Sequence, residues 1–219
     1  MRLGYYLLWH FFRILFRIGF ARRIYHVERV PSQGPVLIAA NHASFMDPPL
    51  IGSSLPREIT YLARDTLFRF PIFASFLQYI NVIPVDRGGK SPRGLKVIAS
   101  RLKAGHPVIL FPEGTRSSDG KLRQAKSGIG LLAIKSDAPI LPVRVFGTFE
   151  AYGRHMKWPR LHPVDIKFGR VLDLKHLRAE AKTASKDRLK AIYQEAADAI
   201  MQAIADLEPH QECDTFAGI

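Results

Sequence analysis

One cysteine, Cys213, stands in 219 residues. A single cysteine closes no internal disulfide, so the chain needs no oxidising compartment. With no base or helix start evident beside it, Cys213 reads as incidental. Long apolar runs are also missing. The most apolar stretch, residues 1–25, is broken by Arg13 and Arg17, and nothing approaches the ~20 residues that a bilayer crossing requires. That stretch carries no small-residue cleavage site of a secretory signal. Repeats and low-complexity linkers are absent. Acidic residues are scarce, 19 against 32 Lys and Arg, which leaves a net charge of +13. Such an excess implies an anionic partner: nucleic acid, anionic lipid or an acidic soluble substrate. The basic residues form no dense patch in sequence, and the most basic helical segment is heavily apolar, so nucleic acid is not expected.

What is present suits one domain, or one domain with an appended segment: 47% of residues are apolar and 23% charged, enough to bury a sizeable core. On a helical wheel of about 100° per residue, Arg2, His10, Arg13 and Arg17 gather within roughly 80°. Leu, Tyr, Trp, Phe, Ile, Gly and Ala fill the rest of the circle to residue 21. A basic stripe on a broad apolar face predicts a helix lying in the interface of an anionic membrane. Its arginine heads would reach phosphates, with Trp9 and Tyr5 at headgroup level. The alternatives are a helix packed on the protein's own core and a span with snorkelling arginines. In a span, Arg22 and Arg23 would favour a cytoplasmic domain.

From residue 34 the chain alternates. Strands are predicted at 35–41, 58–64, 82–87, 106–114, 138–147 and 164–172. Helices are predicted around 48–54, at 65–80 with a kink or restart at Pro71, at 91–105 closed by Gly105, and at 127–137. An amphipathic helix follows over 184–207, with Leu189, Ile192, Ala196, Ile200, Ala203 and Leu207 along one side. Residues 148–163 read as a loop rich in Pro, Trp and His. This alternation argues for an α/β fold with a largely parallel, mixed sheet flanked by helices. Ligands bind beyond the carboxyl ends of such strands.

Four strand ends carry candidate chemistry. The first is Asn41-His42-Ala43-Ser44-Phe45-Met46-Asp47. Acyl transfer to an alcohol needs a base near the hydroxyl, and histidine, at about 6.5 unperturbed, is the usual one. A carboxylate on the other ring nitrogen fixes the tautomer. The plain alternative is that Asp47 caps the next helix and His42 is a surface turn residue. The second is Val82 to Lys90, in which Arg87, Gly88, Gly89 and Lys90 suit a phosphate, with Arg93 shortly after; a solvated basic turn is the alternative. The third is Phe111-Pro112-Glu113-Gly114-Thr115-Arg116. There Arg116 could hold phosphate and Glu113 could orient Arg116 or a substrate hydroxyl, against a turn with a local Glu–Arg pair. The fourth, Ile140 to Gly147 with Pro142, reads as a core strand, or as lining for an acyl channel.

In this order the four segments resemble the glycerolipid acyltransferase family, the PlsC-like 1-acylglycerol-3-phosphate acyltransferases, over roughly residues 28–150. The resemblance implies a fold of that family; with the amphipathic start and the loose end of the chain, the expected division is a membrane-associating helix (1–27), an acyltransferase domain (28–207) and a tail (208–219). The resemblance also implies His42 as general base and Asp47 as its orienting partner. Lysolipid phosphate contacts are implied at Arg87, Glu113, Gly114, Thr115 and Arg116, with Asn41, Lys90, Lys126 and Pro142 as possible additions. The backbone around Gly114 and Thr115 could stabilise the oxyanion. No metal or redox cofactor and no covalent acyl-enzyme are implied; acyl-coenzyme A or acyl carrier protein is the co-substrate. The expected partners are a lysophospholipid, that donor and an anionic membrane surface, at the cytoplasmic face of an inner membrane. Glycerol 3-phosphate or an amino-acid lysolipid as acceptor, and a non-catalytic membrane-binding module, are the alternatives. Two departures bear on the acceptor. Gln124-Ala125-Lys126-Ser127-Gly128 lacks the family's aromatic, and Arg144 stands where a small or apolar residue is expected.

Overall fold

The computed structural model describes residues 2–85 and 93–208. The elements run α1 (Leu3–Gly19), β1 (Arg23–Tyr25), β2 (Leu37–Ala40), α2 (Asp47–Ser54), β3 (Tyr61–Arg64), α3 (Pro71–Tyr79), β4 (Val82–Val85), α4 (Arg93–Lys103) and β5 (Val108–Leu110). They continue with α5 (Ser127–Lys135), β6 (Ile140–Phe146), α6 (Thr148–Tyr152), β7 (Asp165–Phe168), α7 (Lys175–Glu180) and α8 (Lys186–Ala205).

The main sheet has the order β1-β7-β6-β2-β5. β2 pairs in parallel with β5 and β6, while β6 and β7 are antiparallel. β3 and β4 form a parallel pair, joined to β5 by a bridge from Thr60 to Val108. The sheet is therefore largely parallel and mixed, as the strand–helix alternation predicts.

β2 shows why continuous apolar runs mark its strands. Successive side chains point to opposite faces of a sheet, and a sheet covered on both faces needs apolar residues at every position. Leu37 and Ala39 pack into one core beneath α4, α5, α7 and α8. Ile38 and Ala40 pack into the other, beneath α1 and α2. All four are fully buried. In the first core α5 crosses α8 closely because residue 130 is glycine: a Cβ there would fall 1.7 Å from the Tyr193 carbonyl oxygen. Ser185 caps α8 by accepting the Arg188 N–H at 3.3 Å.

Several expectations change in detail. The amino-terminal helix expected over 1–27 ends at Gly19, and residues 23–25 pair with β7 as an edge strand. The stretch 1–27 thus supplies a strand to the same sheet as residues 28–207. α1 packs on α2 through Phe12 and Phe16, and presents Leu3, Leu7, Phe11, Ile14 and Ile18 outward. The core-packing reading and the outward apolar face both hold, on opposite sides of one helix. Pro71 restarts the chain as α3 after a short 3-10 turn over Asp65–Phe68. The expected loop 148–163 begins with the short helix α6. Ile204, rather than Ala203, continues the buried row of α8.

Candidate active site

The parallel strands β2 and β5 end side by side, and the chain beyond each end meets the other. Asp47 begins α2, with Pro48 and Pro49 in its first turn, where proline is tolerated. From there Asp47 Oδ2 reaches back to accept the Ala43 N–H at 2.7 Å and the Ser44 N–H at 2.7 Å, and lies 2.8 Å from His42 Nδ1. An oxygen that already accepts two backbone N–H groups is an acceptor, so His42 Nδ1 is the donor. In the neutral ring that tautomer puts the lone pair on Nε2. His42 is 6% exposed and Asp47 fully buried. The helix-cap reading of Asp47 fails: Met46 holds the cap position, and the carboxylate is spent on the His42 turn.

Three further contacts hold that turn. Glu113 Oε1 accepts the His42 backbone N–H at 3.0 Å. The Ser117 N–H donates to the His42 carbonyl at 2.7 Å. Phe111 stacks under the imidazole, with centroids 4.0 Å apart and planes 17° from parallel. Asn41 locks the end of β2 to β6, donating to the Val145 carbonyl at 3.1 Å and accepting the Val145 N–H at 2.8 Å.

Burial pushes the Glu113 carboxyl up to about 7. The charges of Asp47 and Asp119 push the same way, and the His42 N–H and Arg123 oppose them. Glu113 Oε2 and Asp47 Oδ1 are buried and accept no hydrogen bond among the described residues.

Arg116 lies over the Phe45 ring, 3.3 Å from guanidinium carbon to centroid, and Phe45 in turn meets Tyr152. Gly114 has φ +70°, a left-handed conformation suited to glycine. A Cβ there would also meet the Lys126 stem at 2.9 Å. The turn therefore brings Lys126 beside Gly114, while the Gly114 N–H donates to Phe111 at 3.0 Å. That amide is engaged within the turn, which removes it from the expected oxyanion contact.

His42 and Arg116 border a cavity of about 790 Å³. Apolar side chains from α1, α2, β3 and α3 form most of its walls, and Arg64 joins them. Small-molecule sites usually span about 300–1,000 Å³, so this one has room for a sizeable ligand. Tyr5 and Tyr61, with hydroxyls 3.3 Å apart, stand in the wall. Burial raises the Tyr61 phenol well above its ordinary value.

The structure thus brings together His42, Asp47, Glu113, Gly114, Arg116 and Lys126, with Thr115 between Gly114 and Arg116. Pro142 is separate: it sits buried within β6 opposite Ala39. Arg144 is also away from the cavity, donating to the carbonyls of Ala205 at 2.6 Å and Leu207 at 3.1 Å. A helix terminus explains that arginine, so it does not enter the acceptor question. Arg87 and Lys90 lie outside the described residues; β4 ends at Val85, opposite Arg64. Sequence reasoning passed over Arg64, Phe111 and Ser117. Phe111 stands in the quoted third motif and Ser117 directly after it, but only the meeting of the two strand-end turns reveals what they hold.

An Acyltransferase family model matches residues 21–146. The 1-acyl-sn-glycerol-3-phosphate acyltransferase of Bacillus subtilis is 30% identical over 187 residues, covering 85% of this chain and 87% of that one. The chloroplastic 1-acyl-sn-glycerol-3-phosphate acyltransferase BAT2 of Brassica napus is 32% identical over 127 residues. There the match takes in 56% of this chain and only 36% of the relative's length. The crystal structure of PlsC, the 1-acyl-sn-glycerophosphate acyltransferase of Thermotoga maritima, shares the fold, with a TM-score of 0.70 at 24% identity, over 94% of this chain and 81% of that one.

Proposed function

The chain belongs to the acyltransferase family, and on that footing we propose that it acylates the sn-2 hydroxyl of 1-acylglycerol 3-phosphate to give phosphatidic acid. The donor is acyl-coenzyme A or an acyl carrier protein. His42 Nε2 takes the proton of the hydroxyl as its oxygen attacks the thioester carbonyl. Asp47 stabilises the imidazolium and holds its orientation. The tetrahedral intermediate collapses with loss of the thiolate, which recovers the proton from His42. No covalent acyl-enzyme is needed.

The observation that carries this reading is the three-donor grip on Asp47 Oδ2, which turns His42 Nε2 out as an acceptor at the edge of the cavity. Arg116, with Arg87, Lys90 and Lys126 from the sequence motifs, would neutralise the lysolipid phosphate. The apolar cavity would take an acyl chain. The names of the relatives supply the acceptor.

Both substrates are amphipathic, and α1 suits an enzyme that meets them on a membrane. Its outward row of Leu3, Leu7, Phe11, Ile14 and Ile18 is flanked by Arg13 and Arg17. α3 adds exposed Phe70 at its start, then Ile72, Phe73 and Phe76. Among the described residues no helix is long and apolar enough to cross a membrane. Peripheral docking of these faces on the cytoplasmic side of an inner membrane accords with a thioester donor and a single cysteine.

The test is incubation of vesicle-supported protein with labelled acyl-coenzyme A, or acylated carrier protein, and 1-acylglycerol 3-phosphate. Wild type should form phosphatidic acid, and His42→Ala should lose about 10²–10⁴-fold in rate. Equal product from both would remove His42 as the base. No product with either donor would remove the acceptor assignment.

A further inference from the structure

Residues 153–164 join α6 to β7 and bring no side chain to the cavity beside His42. Their side chains are unusual for a connecting loop. Trp158 is 81% exposed and Leu161 82%, although a tryptophan buries roughly 150–250 Å² where packing lets it. Arg154, Lys157 and Arg160 stand around them, all exposed, and no acidic residue occurs between Glu150 and Asp165. The tip is thus apolar, cationic and without a counter-charge of its own.

The loop is held at both ends. At its entry, Ser44 Oγ donates to the Tyr152 carbonyl at 2.6 Å, and Gly153 bridges to Ser44. At its exit, the Val164 N–H donates to Phe20 at 3.0 Å, and the Arg23 N–H donates to Val164 at 3.1 Å. Within it, the Arg160 N–H returns to the Ala151 carbonyl at 2.7 Å. The tip therefore emerges beside the end of α1. A methyl group on Gly19 would lie 4.0 Å from Leu161 Cδ2. The neighbouring turns of α1 are those that expose Ile14 and Ile18 and carry Arg13 and Arg17.

We propose that the 154–162 tip is a second membrane-docking element, seating Trp158 and Leu161 in the headgroup region of an anionic phospholipid bilayer next to α1. The inference rests on the membrane reading of α1 and extends it to a segment distant in sequence. An amphipathic indole suits the interface, and Leu161 stands beside the end of α1, next to the partly exposed Leu15. Arg154, Lys157 and Arg160 face lipid phosphates, each worth about fivefold in binding to an anionic surface. A protein partner with an acidic surface would satisfy the cations, but not the exposed Trp158 and Leu161 beside the end of α1. Because Tyr152 and Gly153 also hold Ser44, the docked tip shares a backbone strap with the His42–Asp47 turn.

The test is co-sedimentation of the full chain with vesicles of phosphatidylcholine alone and mixed with phosphatidylglycerol. Three variants run beside wild type: Trp158→Ala/Leu161→Ala, Lys157→Glu/Arg160→Glu and, on α1, Ile14→Ser/Ile18→Ser. Both tip variants should weaken binding to the mixed vesicles by about tenfold or more. Their thermal unfolding should be unchanged, since the altered side chains are exposed. Trp158 emission, read as the difference between wild type and Trp158→Phe, should be quenched by brominated lipids. Tip variants that bind like wild type while the α1 variant fails would overturn the proposal and leave the α1 reading standing. Failure of wild type to bind either vesicle would overturn both. Trp158 emission that shifts with protein concentration and ignores vesicles would overturn it too, assigning the tip to a second copy of the chain.

Discussion

Glu113 holds the backbone N–H of His42 at 3.0 Å across 71 residues of sequence. A carboxylate is a poor ligand for a phosphate, and this bond gives the acid of the third motif a different role, that of fixing the turn that carries the proposed base. Glu113→Ala leaves a buried N–H unpaired, at a cost of about 1–3 kcal/mol. In steady-state assays kcat should fall while KM changes little. Glu113→Gln keeps the accepting oxygen and should keep most of kcat. An unchanged kcat in the alanine variant would show that the turn holds without Glu113.

The same residue makes stability depend on pH. Its carboxyl lies at about 7 in the fold against an ordinary value of 4.5. Between those values the folded chain binds more protons at this site than the unfolded chain, so unfolding free energy falls as pH rises. The stabilising contribution is complete below the lower value and lost above the upper one. Denaturant titrations across this window should show that downward slope in wild type and lose it in Glu113→Gln.

Asp47→Asn tests the tautomer. The amide oxygen can still accept the Ala43 and Ser44 N–H groups, but the charge that stabilises an imidazolium is gone. Turnover should fall by on the order of 10²–10⁴, with a much smaller effect on folding. A rate within a few-fold of wild type would mean that Asp47 only shapes the turn.

Much of this site is legible in the sequence because the strands that build it are covered on both faces. Residues such as Leu37, Ile38, Ala39 and Ala40 announce such strands by unbroken apolar character, and polar residues at their ends stand out against it. What stays hidden depends on pairing at long range. β1 is three residues after an apolar helix, and its partner Asp165, bound by Arg23 through two contacts of 2.7 Å, lies 142 residues away. Phe111 resembles any strand aromatic until β5 sets it beneath His42. Arg144 looks like a functional departure until α8 ends beside it.

Gly52 bears on which acyl chains fit. A Cβ at this position would lie 1.6 Å from the Tyr61 hydroxyl, and both residues line the cavity. In Gly52→Ala, either the methyl or the displaced ring must occupy cavity volume. Competition among donors of graded length should therefore shift product toward shorter chains, with a stability cost of about 1–3 kcal/mol. An unchanged chain-length profile would mean that the acyl group does not run past Tyr61.

Arg144 separates a structural cation from the substrate-facing ones. Its Nη1 donates to the Ala205 carbonyl at the end of α8 and to the Leu207 carbonyl just past it, and Lys167 Nζ adds a bond to the Glu208 carbonyl at 3.0 Å. Carbonyls at a helix end lack intrahelical donors, and positive charge there is favourable. Arg144→Ala should lower unfolding free energy by about 1–2 kcal/mol, and Arg144→Lys should restore part of it. Neither change should alter the ratio of rates with 1-acylglycerol 3-phosphate and with a lysolipid lacking the phosphate. Arg116→Ala should show the opposite pattern, with folding nearly unchanged and acceptor KM raised. If Arg144→Ala also changed acceptor preference, the end of α8 would have to communicate with the cavity through β6 and the Asn41–Val145 clamp.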